Sequence, residues 1–252
     1  MSRLRPAMRR RLVAVAVVGL LAATVVAAAT ASRYGTTEAT AWLAAAALPL
    51  GYVAAAPAWW LVRDGAEATT LGVANGITLA RGGMYALVAG FLLVVPPAGD
   101  PWRWLPALLY GAGAALDAVD GAVARRVGTP TRLGERLDMG FDTLGFLVAP
   151  LVAVAWGRLP VWYLSLSAAR YCYRLGCALH VRRGGTLRPL PESRVRRPLA
   201  GVQMAFIAVA LAPVVPVAVV EAAAAVVLVP SLAVFCRDFL VVTSAGGLKQ
   251  RS

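Results

Sequence analysis

The chain has 252 residues, of which 60% are apolar and 15% are charged, and its mean hydropathy is +0.70. Soluble domains are about 45–50% apolar and about 25% charged, so this chain has too few polar side chains to cover a surface that faces water. The composition also excludes disordered and collagen-like chains, and three cysteines are too few for a disulfide scaffold. We therefore interpret the sequence as a membrane protein that crosses the bilayer several times.

Eight apolar stretches are long enough for membrane-spanning helices, because about 20 apolar residues cross a bilayer as a helix. They are continuous and rich in Ala, Leu and Val, unlike the short alternating segments of a membrane β-barrel. The expected spans are 12–31, 41–62, 77–96, 104–123, 140–157, 160–180, 199–216 and 217–241. The sequence therefore predicts an all-α fold, a polytopic bundle of membrane helices.

The first apolar stretch has two interpretations. Its basic N-terminal flank and the Ala-Thr-Ala-Ser at 29–32 are also found in cleaved signal peptides. We favour a retained anchor, because an apolar run of about 20 residues is long for a signal peptide. Under either interpretation the second stretch runs from outside to inside.

The basic residues indicate the orientation. With a cytosolic N-terminus, 18 of the 25 Lys and Arg residues fall in cytosolic segments, and only Arg33, Arg103 and Arg158 fall outside. This excess follows the positive-inside rule of membrane proteins. The net charge of +13 therefore needs no nucleic acid partner to explain it.

The acidic residues are concentrated in one segment. Five of the 12 lie within 26 positions, namely Asp117, Asp120, Glu135, Asp138 and Asp142. A carboxylate within the bilayer costs about 2.5–3.5 kcal/mol on insertion scales. Such a group is kept only where something offsets its charge.

Two helical stripes carry four of these acids. The first stripe, spaced i, i+3, i+4 and i+7, consists of Asp117, Asp120, Gly121 and Ala124. The second, spaced i, i+4 and i+8, consists of Gly134, Asp138 and Asp142. Because only a short turn separates the two helices, we expect their carboxylates to converge on one or two Mg²⁺ or Mn²⁺ ions, which prefer oxygen ligands. Arg125 adds a cation suited to phosphate.

A divalent-cation transporter is the alternative, because intramembrane carboxylates also line ion pathways.

The full pattern resembles the signature of the CDP-alcohol phosphotransferase family at every specified position. It reads Asp117-x2-Asp120-Gly121-x2-Ala124-Arg125-x8-Gly134-x3-Asp138-x3-Asp142. Upstream, the Asn-x-x-Thr-x-x-Arg from Asn75 to Arg81 is similar to the start of the family's first core helix. The resemblance implies six core transmembrane helices, here preceded by two N-terminal hydrophobic helices. We expect N-terminal membrane segments at 1–70, the family core at 71–243 and a cytosolic tail at 244–252.

The resemblance also implies an activity and a site. Members of the family move a phosphatidyl-type group from a CDP-linked lipid such as CDP-diacylglycerol to a polar alcohol and release CMP. By resemblance, Asp117, Asp120 and Asp138 would bind one Mg²⁺ (or Mn²⁺) ion. Asp117, Asp138 and Asp142 would bind a second, with Asp142 also the catalytic general base. The implied nucleotide-binding residues are Asn75, Thr78, Gly121, Ala124, Arg125 and Gly134.

The acceptor alcohol is less well indicated by the sequence. Arg170, Arg174 and Arg197 could bind a phosphate on the acceptor, as in members that use inositol phosphate or glycerol phosphate. These arginines are also typical positive-inside charges, so an unphosphorylated acceptor such as serine or choline is a second alternative. We further expect a multi-pass protein of the cell membrane, a site facing the cytosol and, by resemblance, a homodimer.

Overall fold

The structure is a computed structural model that describes residues 6–63, 73–127, 131–190, 193 and 195–244, without the side chains of 6–7, 73–74 and 119–127. Within these ranges the chain forms eight α-helices and no strand, which confirms the predicted all-α class. The helices are α1 (Pro6–Tyr34), α2 (Thr36–Arg63), α3 (Val73–Ala89), α4 (Leu105–Val127), α5 (Arg132–Ala155), α6 (Ser165–Arg182), α7 (Arg196–Leu211) and α8 (Val217–Thr243).

Each helix corresponds to one predicted stretch, but some ends differ. Helix α5 begins at Arg132 rather than at 140, because the hydroxyl of Thr131 caps it by accepting a hydrogen bond from the Gly134 amide at 3.0 Å. Helix α7 ends at Leu211 rather than at 216, because Pro213 favours an extended Ala212, whose ψ is 134°. The apolar pattern thus marks the apolar part of each helix, whereas its polar ends are located by capping residues and prolines.

Four of the described helices are long and apolar enough to cross a membrane, namely α1, α2, α5 and α8. Helices α3 and α7 have 17 and 16 residues, somewhat short of the length that spans a bilayer. Length and composition therefore support four of the eight predicted crossings.

The first two helices form a hairpin that packs into the rest of the bundle. Gly35 alone separates α1 from α2, and its φ of +108° is a conformation that favours glycine. Trp42 of α2 is fully buried, and its ring packs edge-on against Phe91 with 6.1 Å between centroids. A Cβ at Gly90 would lie 2.2 Å from the Trp42 ring. The hairpin and the helices that follow it therefore share one hydrophobic interior.

Two polar contacts fix the end of the bundle that lies away from the acidic cluster. Asp100, in the connection before α4, accepts hydrogen bonds from the Tyr34 hydroxyl at 2.7 Å and from the Trp102 amide at 2.8 Å. The guanidinium of Arg158, between α5 and α6, donates to the carbonyls of Ala210, Ala212 and Val215 at 2.7–3.0 Å. The second contact satisfies carbonyls at the end of α7, which a helix leaves without partners.

Helix α3 lies at the centre of the arrangement that positions the site. It packs against α2 on one side and against α4 and α5 on the other. Helices α4 and α5 carry the acidic stripes, so both acidic helices pack against α3.

Candidate active site

The structure brings three of the predicted carboxylates together. Asp117 comes from α4, and Asp138 and Asp142 come from successive turns of α5. Each offers a carboxylate oxygen, and these oxygens all lie within 4.8 Å of one another. The i, i+4 spacing of the two α5 residues places them on one helix face, as the sequence pattern predicts.

A buried arginine from α3 holds this cluster together. Arg81 Nη1 lies 2.8 Å from Asp117 Oδ1 and 2.6 Å from Asp138 Oδ1, and Nη2 lies 2.5 Å from Asp142 Oδ1. The Arg81 side chain is 0% exposed, whereas the three carboxylates are 38%, 44% and 25% exposed. The cation therefore closes the buried side of the cluster, and the other side is open to solvent.

The charges of this cluster fit a divalent cation. When ionised, the three carboxylates carry three negative charges, and Arg81 supplies one positive charge. These four side chains of the cluster therefore carry a net charge of −2. All the available ligand atoms are carboxylate oxygens, which Mg²⁺ and Mn²⁺ prefer. The residues present are therefore suited to hold such an ion on their open side.

A stripe of buried polar side chains on α3 continues away from Arg81. Asn75 and Thr78 are 4% and 2% exposed, and with Arg81 they are spaced by three residues along one face. Asn75 is close to the start of α5, since a Cβ on Gly134 would lie 2.8 Å from Asn75 Oδ1. The glycine predicted at 134 therefore lets the α5 backbone approach the side chain of Asn75.

Tyr85, one turn beyond Arg81, fills the space between the three helices. Its ring is 1% exposed and stacks on Tyr110 with 5.2 Å between centroids. A Cβ at Gly113 of α4 would lie 2.6 Å from the ring, and one at Gly145 of α5 would lie 2.8 Å from it. These two glycines let α4 and α5 close around the tyrosine, and so set the separation of the acidic helices.

Four predicted site residues lie outside the described side chains. These are Asp120, Gly121, Ala124 and Arg125, all in the last turns of α4. Their backbone is helical, but their part in the site stays a prediction.

A cavity of about 310 Å³ adjoins the carboxylate cluster, between α5, α6, α7 and α8. Asp142 lines this cavity and is also a member of the cluster, so the two spaces share that residue. Arg170 of α6 and Arg196 of α7 line it as well. Arg174 and Arg197, the other predicted acceptor residues, are exposed and are not among the lining residues.

A comparison with protein-family models matches residues 71–235 to the model described as CDP-alcohol phosphatidyltransferase. The match covers 165 of the 252 residues and includes α3, α4 and α5 with the whole carboxylate cluster. The chain belongs to the CDP-alcohol phosphatidyltransferase family. Comparisons with curated proteins and with solved structures gave no match.

Membership of the CDP-alcohol phosphatidyltransferase family explains the main features of the molecule. The family transfers a phosphatidyl group from a CDP-alcohol to an acceptor and generally uses a divalent metal, which agrees with the excess negative charge of the cluster. Together with the four apolar helices, it makes this protein an integral membrane enzyme.

Several polar residues in and around the cavity were not among the predicted site residues. In the cavity wall Arg196 Nε lies 2.6 Å from Asp238 Oδ2, and Arg237 also contacts Asp238. Among the buried residues, the Tyr163 hydroxyl donates to Gln203 Oε1, and Gln203 Nε2 donates to the Ser231 hydroxyl at 2.8 Å. The one available signal was the presence of polar residues in otherwise apolar helices.

Proposed function

We propose that this protein transfers the phosphatidyl group of CDP-diacylglycerol to a phosphorylated polyol such as inositol phosphate or glycerol phosphate, releasing CMP. The observation that carries the proposal is the position of Asp142. It belongs to the carboxylate cluster suited to a metal-bound pyrophosphate, and it also lines the neighbouring cavity. A group at that boundary can touch both the donor and an acceptor held in the cavity.

The donor would bind at the open side of the cluster. Asp117, Asp138 and Asp142, with Asp120, would hold one or two Mg²⁺ ions, which when bound would neutralise charge on the pyrophosphate and on departing CMP. Arg81 holds the carboxylates in place from the buried side of the cluster. Asn75, Thr78, Gly121, Ala124, Arg125 and Gly134 are the proposed nucleotide-binding residues.

The proposed reaction is a direct displacement. The acceptor hydroxyl oxygen forms a bond to the β-phosphorus, and the bond from that phosphorus to the bridging oxygen breaks, so that CMP leaves with the bonding electrons. Asp142 accepts the proton of the attacking hydroxyl. The cavity would position that hydroxyl, because Asp142 is part of its wall.

The lining of the cavity supports a phosphorylated acceptor. Arg170 and Arg196 both line it, and guanidinium groups bind phosphate through paired N–H donors. Gln203 and Ser231 add polar groups that suit the hydroxyls of a polyol. Serine or choline would leave the two arginines without a phosphate to bind.

Orientation, assembly and domain division complete the proposal. We propose a multi-pass protein with the cluster at the cytosolic membrane surface, a proposal that the basic termini and connections support through the positive-inside rule. We further propose a homodimer, and a family core at 71–243 between N-terminal membrane segments and a cytosolic tail.

The test is an assay of purified protein with CDP-diacylglycerol, Mg²⁺ and a panel containing inositol phosphate, glycerol phosphate, inositol, glycerol, serine and choline. CMP release is expected only with a phosphorylated polyol, and it should stop when Mg²⁺ is chelated. Release with serine or choline instead would overturn the proposed acceptor. Passage of Mg²⁺ across vesicle membranes without any CMP release would indicate the transporter alternative.

A matched pair of variants tests the acceptor site. Arg170→Gln should raise the KM for the phosphorylated acceptor at least tenfold and leave the KM for CDP-diacylglycerol unchanged, because Arg170 lines the cavity and does not belong to the carboxylate cluster. Arg174→Gln is the control, since Arg174 lies one turn further along α6, is exposed and does not line the cavity. Equal effects of the two changes would argue against phosphate binding by Arg170.

A further inference from the structure

A second space lies on the other side of α3 from the carboxylates. It is a groove of about 600 Å³ between α1, α2 and α3, and its lining residues are apolar or glycine. The buried polar stripe of α3 faces α4 and α5, whereas Gly76, Ala80, Gly83 and Leu87 of the same helix line the groove. Helices α1 and α2 belong to the hairpin that precedes the matched family segment.

Four glycines keep this groove open. A Cβ placed on Gly19, Gly51, Gly76 or Gly83 would meet no atom within 4 Å. At Gly113 and Gly145 the corresponding space is filled by the ring of Tyr85. An open apolar groove within a packed bundle forfeits dispersion contacts, and in a bilayer the molecules that can restore them are hydrocarbon chains.

The dimensions of the groove match one leaflet of a bilayer. Along α3 it extends from Gly76 to Leu87, which is about 16 Å at 1.5 Å per residue. Half of a hydrocarbon core about 30 Å thick is about 15 Å. The groove therefore accommodates an acyl chain from the leaflet at the end of α3 where Gly76 lies.

The charges at that end favour an anionic headgroup. Helix α1 runs parallel to α3, because each is antiparallel to α2, and its contribution to the groove begins at Ala14. Arg9, Arg10 and Arg11 are exposed on the turn just before it, the last of them about 4.5 Å along the axis from Ala14. Basic residues next to a membrane surface attract anionic lipids.

We propose that this groove is a binding site for an anionic phospholipid of the surrounding membrane, with one acyl chain against the four glycines and the phosphate beside Arg9 and Arg10. The lipid would fill the seam between the N-terminal hairpin and α3. The site lies across α3 from the carboxylate cluster, so it stands apart from the transfer reaction proposed above.

The test measures lipid retained by the purified full-length protein. We expect native mass spectrometry of protein taken from nanodiscs of equal phosphatidylglycerol and phosphatidylcholine to show about one tightly held phosphatidylglycerol per chain. Gly19→Leu/Gly51→Leu should lower its occupancy at least tenfold, because the new side chains fill the groove. Val25→Leu is the control, since Val25 lies on the same helix, is 67% exposed and lies outside the groove.

The headgroup part of the proposal has its own variants. Arg9→Gln/Arg10→Gln should remove the preference for phosphatidylglycerol, whereas Arg182→Gln/Arg183→Gln, which removes two charges at the end of α6, should not.

Unchanged occupancy in the groove-filling variant, or equal retention of both lipids by wild type, overturns the proposal. A loss of dimer instead of lipid would show that a second copy covers the groove. If the double glycine change prevents folding, Gly19→Leu alone makes the same test.

Discussion

At the scale of single residues, Arg81 explains how three carboxylates can share a membrane-embedded site. Its guanidinium is within 2.8 Å of an oxygen of each. Because the arginine is fully buried, its charge is little screened by solvent. The three acids are therefore oriented by one side chain before any substrate arrives.

Removing that charge should be costly. We expect Arg81→Gln to destabilise the protein by about 1.5–3 kcal/mol, because three partly exposed carboxylates lose their charged hydrogen-bond partner. Thermal unfolding in detergent measures the change. Arg33→Gln is the control, since Arg33 is 48% exposed in its pair with Asp100 and should lose far less. Similar losses in the two variants would mean that Arg81 is not the counter-ion of the cluster.

Asp142 is the residue on which the proposed chemistry depends. Asp142→Asn should lower CMP release by about 10²–10⁴-fold, because the amide cannot accept the proton of the acceptor hydroxyl. Circular dichroism and gel filtration should remain those of the wild type. Glu135→Gln is the matched control on α5, because Glu135 is exposed and does not belong to the carboxylate cluster. Full turnover by the Asp142 variant would remove Asp142 from the mechanism.

At the scale of helices, the site depends on how closely α4 and α5 approach Tyr85. The two acidic helices touch its ring through Gly113 and Gly145, and Arg81 lies one turn away on the same helix as the tyrosine. Any side chain at these glycines must displace the Tyr85 ring or one of the helices. The packing of α4 and α5 against Tyr85 therefore sets the separation of the carboxylates that these helices carry.

Two glycines of α4 provide a sharp comparison. Gly113→Ala should destabilise the protein by about 1–3 kcal/mol, because its Cβ would lie 2.6 Å from the Tyr85 ring. Gly111→Ala should be neutral or stabilising, since its Cβ would meet the Cβ of Ala208 at an ordinary 3.7 Å and alanine favours a helix. Denaturant or thermal unfolding distinguishes them. Equal stability of the two variants would show that the ring moves aside freely.

At the scale of the whole molecule, Asp100 connects the N-terminal hairpin to the core. The amide of Trp102, then the hydroxyl of Tyr34, hold the pKa of the Asp100 carboxyl below its ordinary value. Because the folded-state pKa is the lower one, the stabilisation is complete above the ordinary carboxyl pKa. It is lost as the pH falls through the folded-state pKa.

The corresponding experiment follows thermal unfolding against pH. Asp100→Asn should lower the Tm by a few degrees at pH 7, and this difference from the wild type should shrink as the pH is lowered through the acid range. A difference that stays constant with pH would mean that the carboxylate charge does not stabilise the contact. Glu38→Gln, which changes another acid in the first turn of α2, serves as the control.

The sequence predicted the helices and the convergence of Asp117, Asp138 and Asp142, because both depend on regular spacing along a helix. Residues far apart in the chain were harder to foresee. Nothing local indicated that Arg81 would pair with acids 36 to 61 positions away, although it stood at the end of the family-like Asn-x-x-Thr-x-x-Arg segment. Spacing predicts which residues share a face, whereas packing decides what that face meets.

The acceptor arginines show the same limit at finer detail. Arg170 and Arg174 are one turn apart, and Arg196 and Arg197 are adjacent, yet only the first of each pair lines the cavity. The rotation of a helix about its axis decides which of two nearby arginines faces the cavity. For α6 and α7 that rotation depends on their packing against residues of other helices. Composition and charge counts carry no information about it.

The single residue between α1 and α2 has a consequence for biogenesis. With no loop at Gly35, the two helices cannot take up independent orientations during insertion, because their adjoining ends must emerge on the same membrane face. Reversing the charges of the N-terminal arginines would therefore either leave the pair as it is or invert both helices as a block.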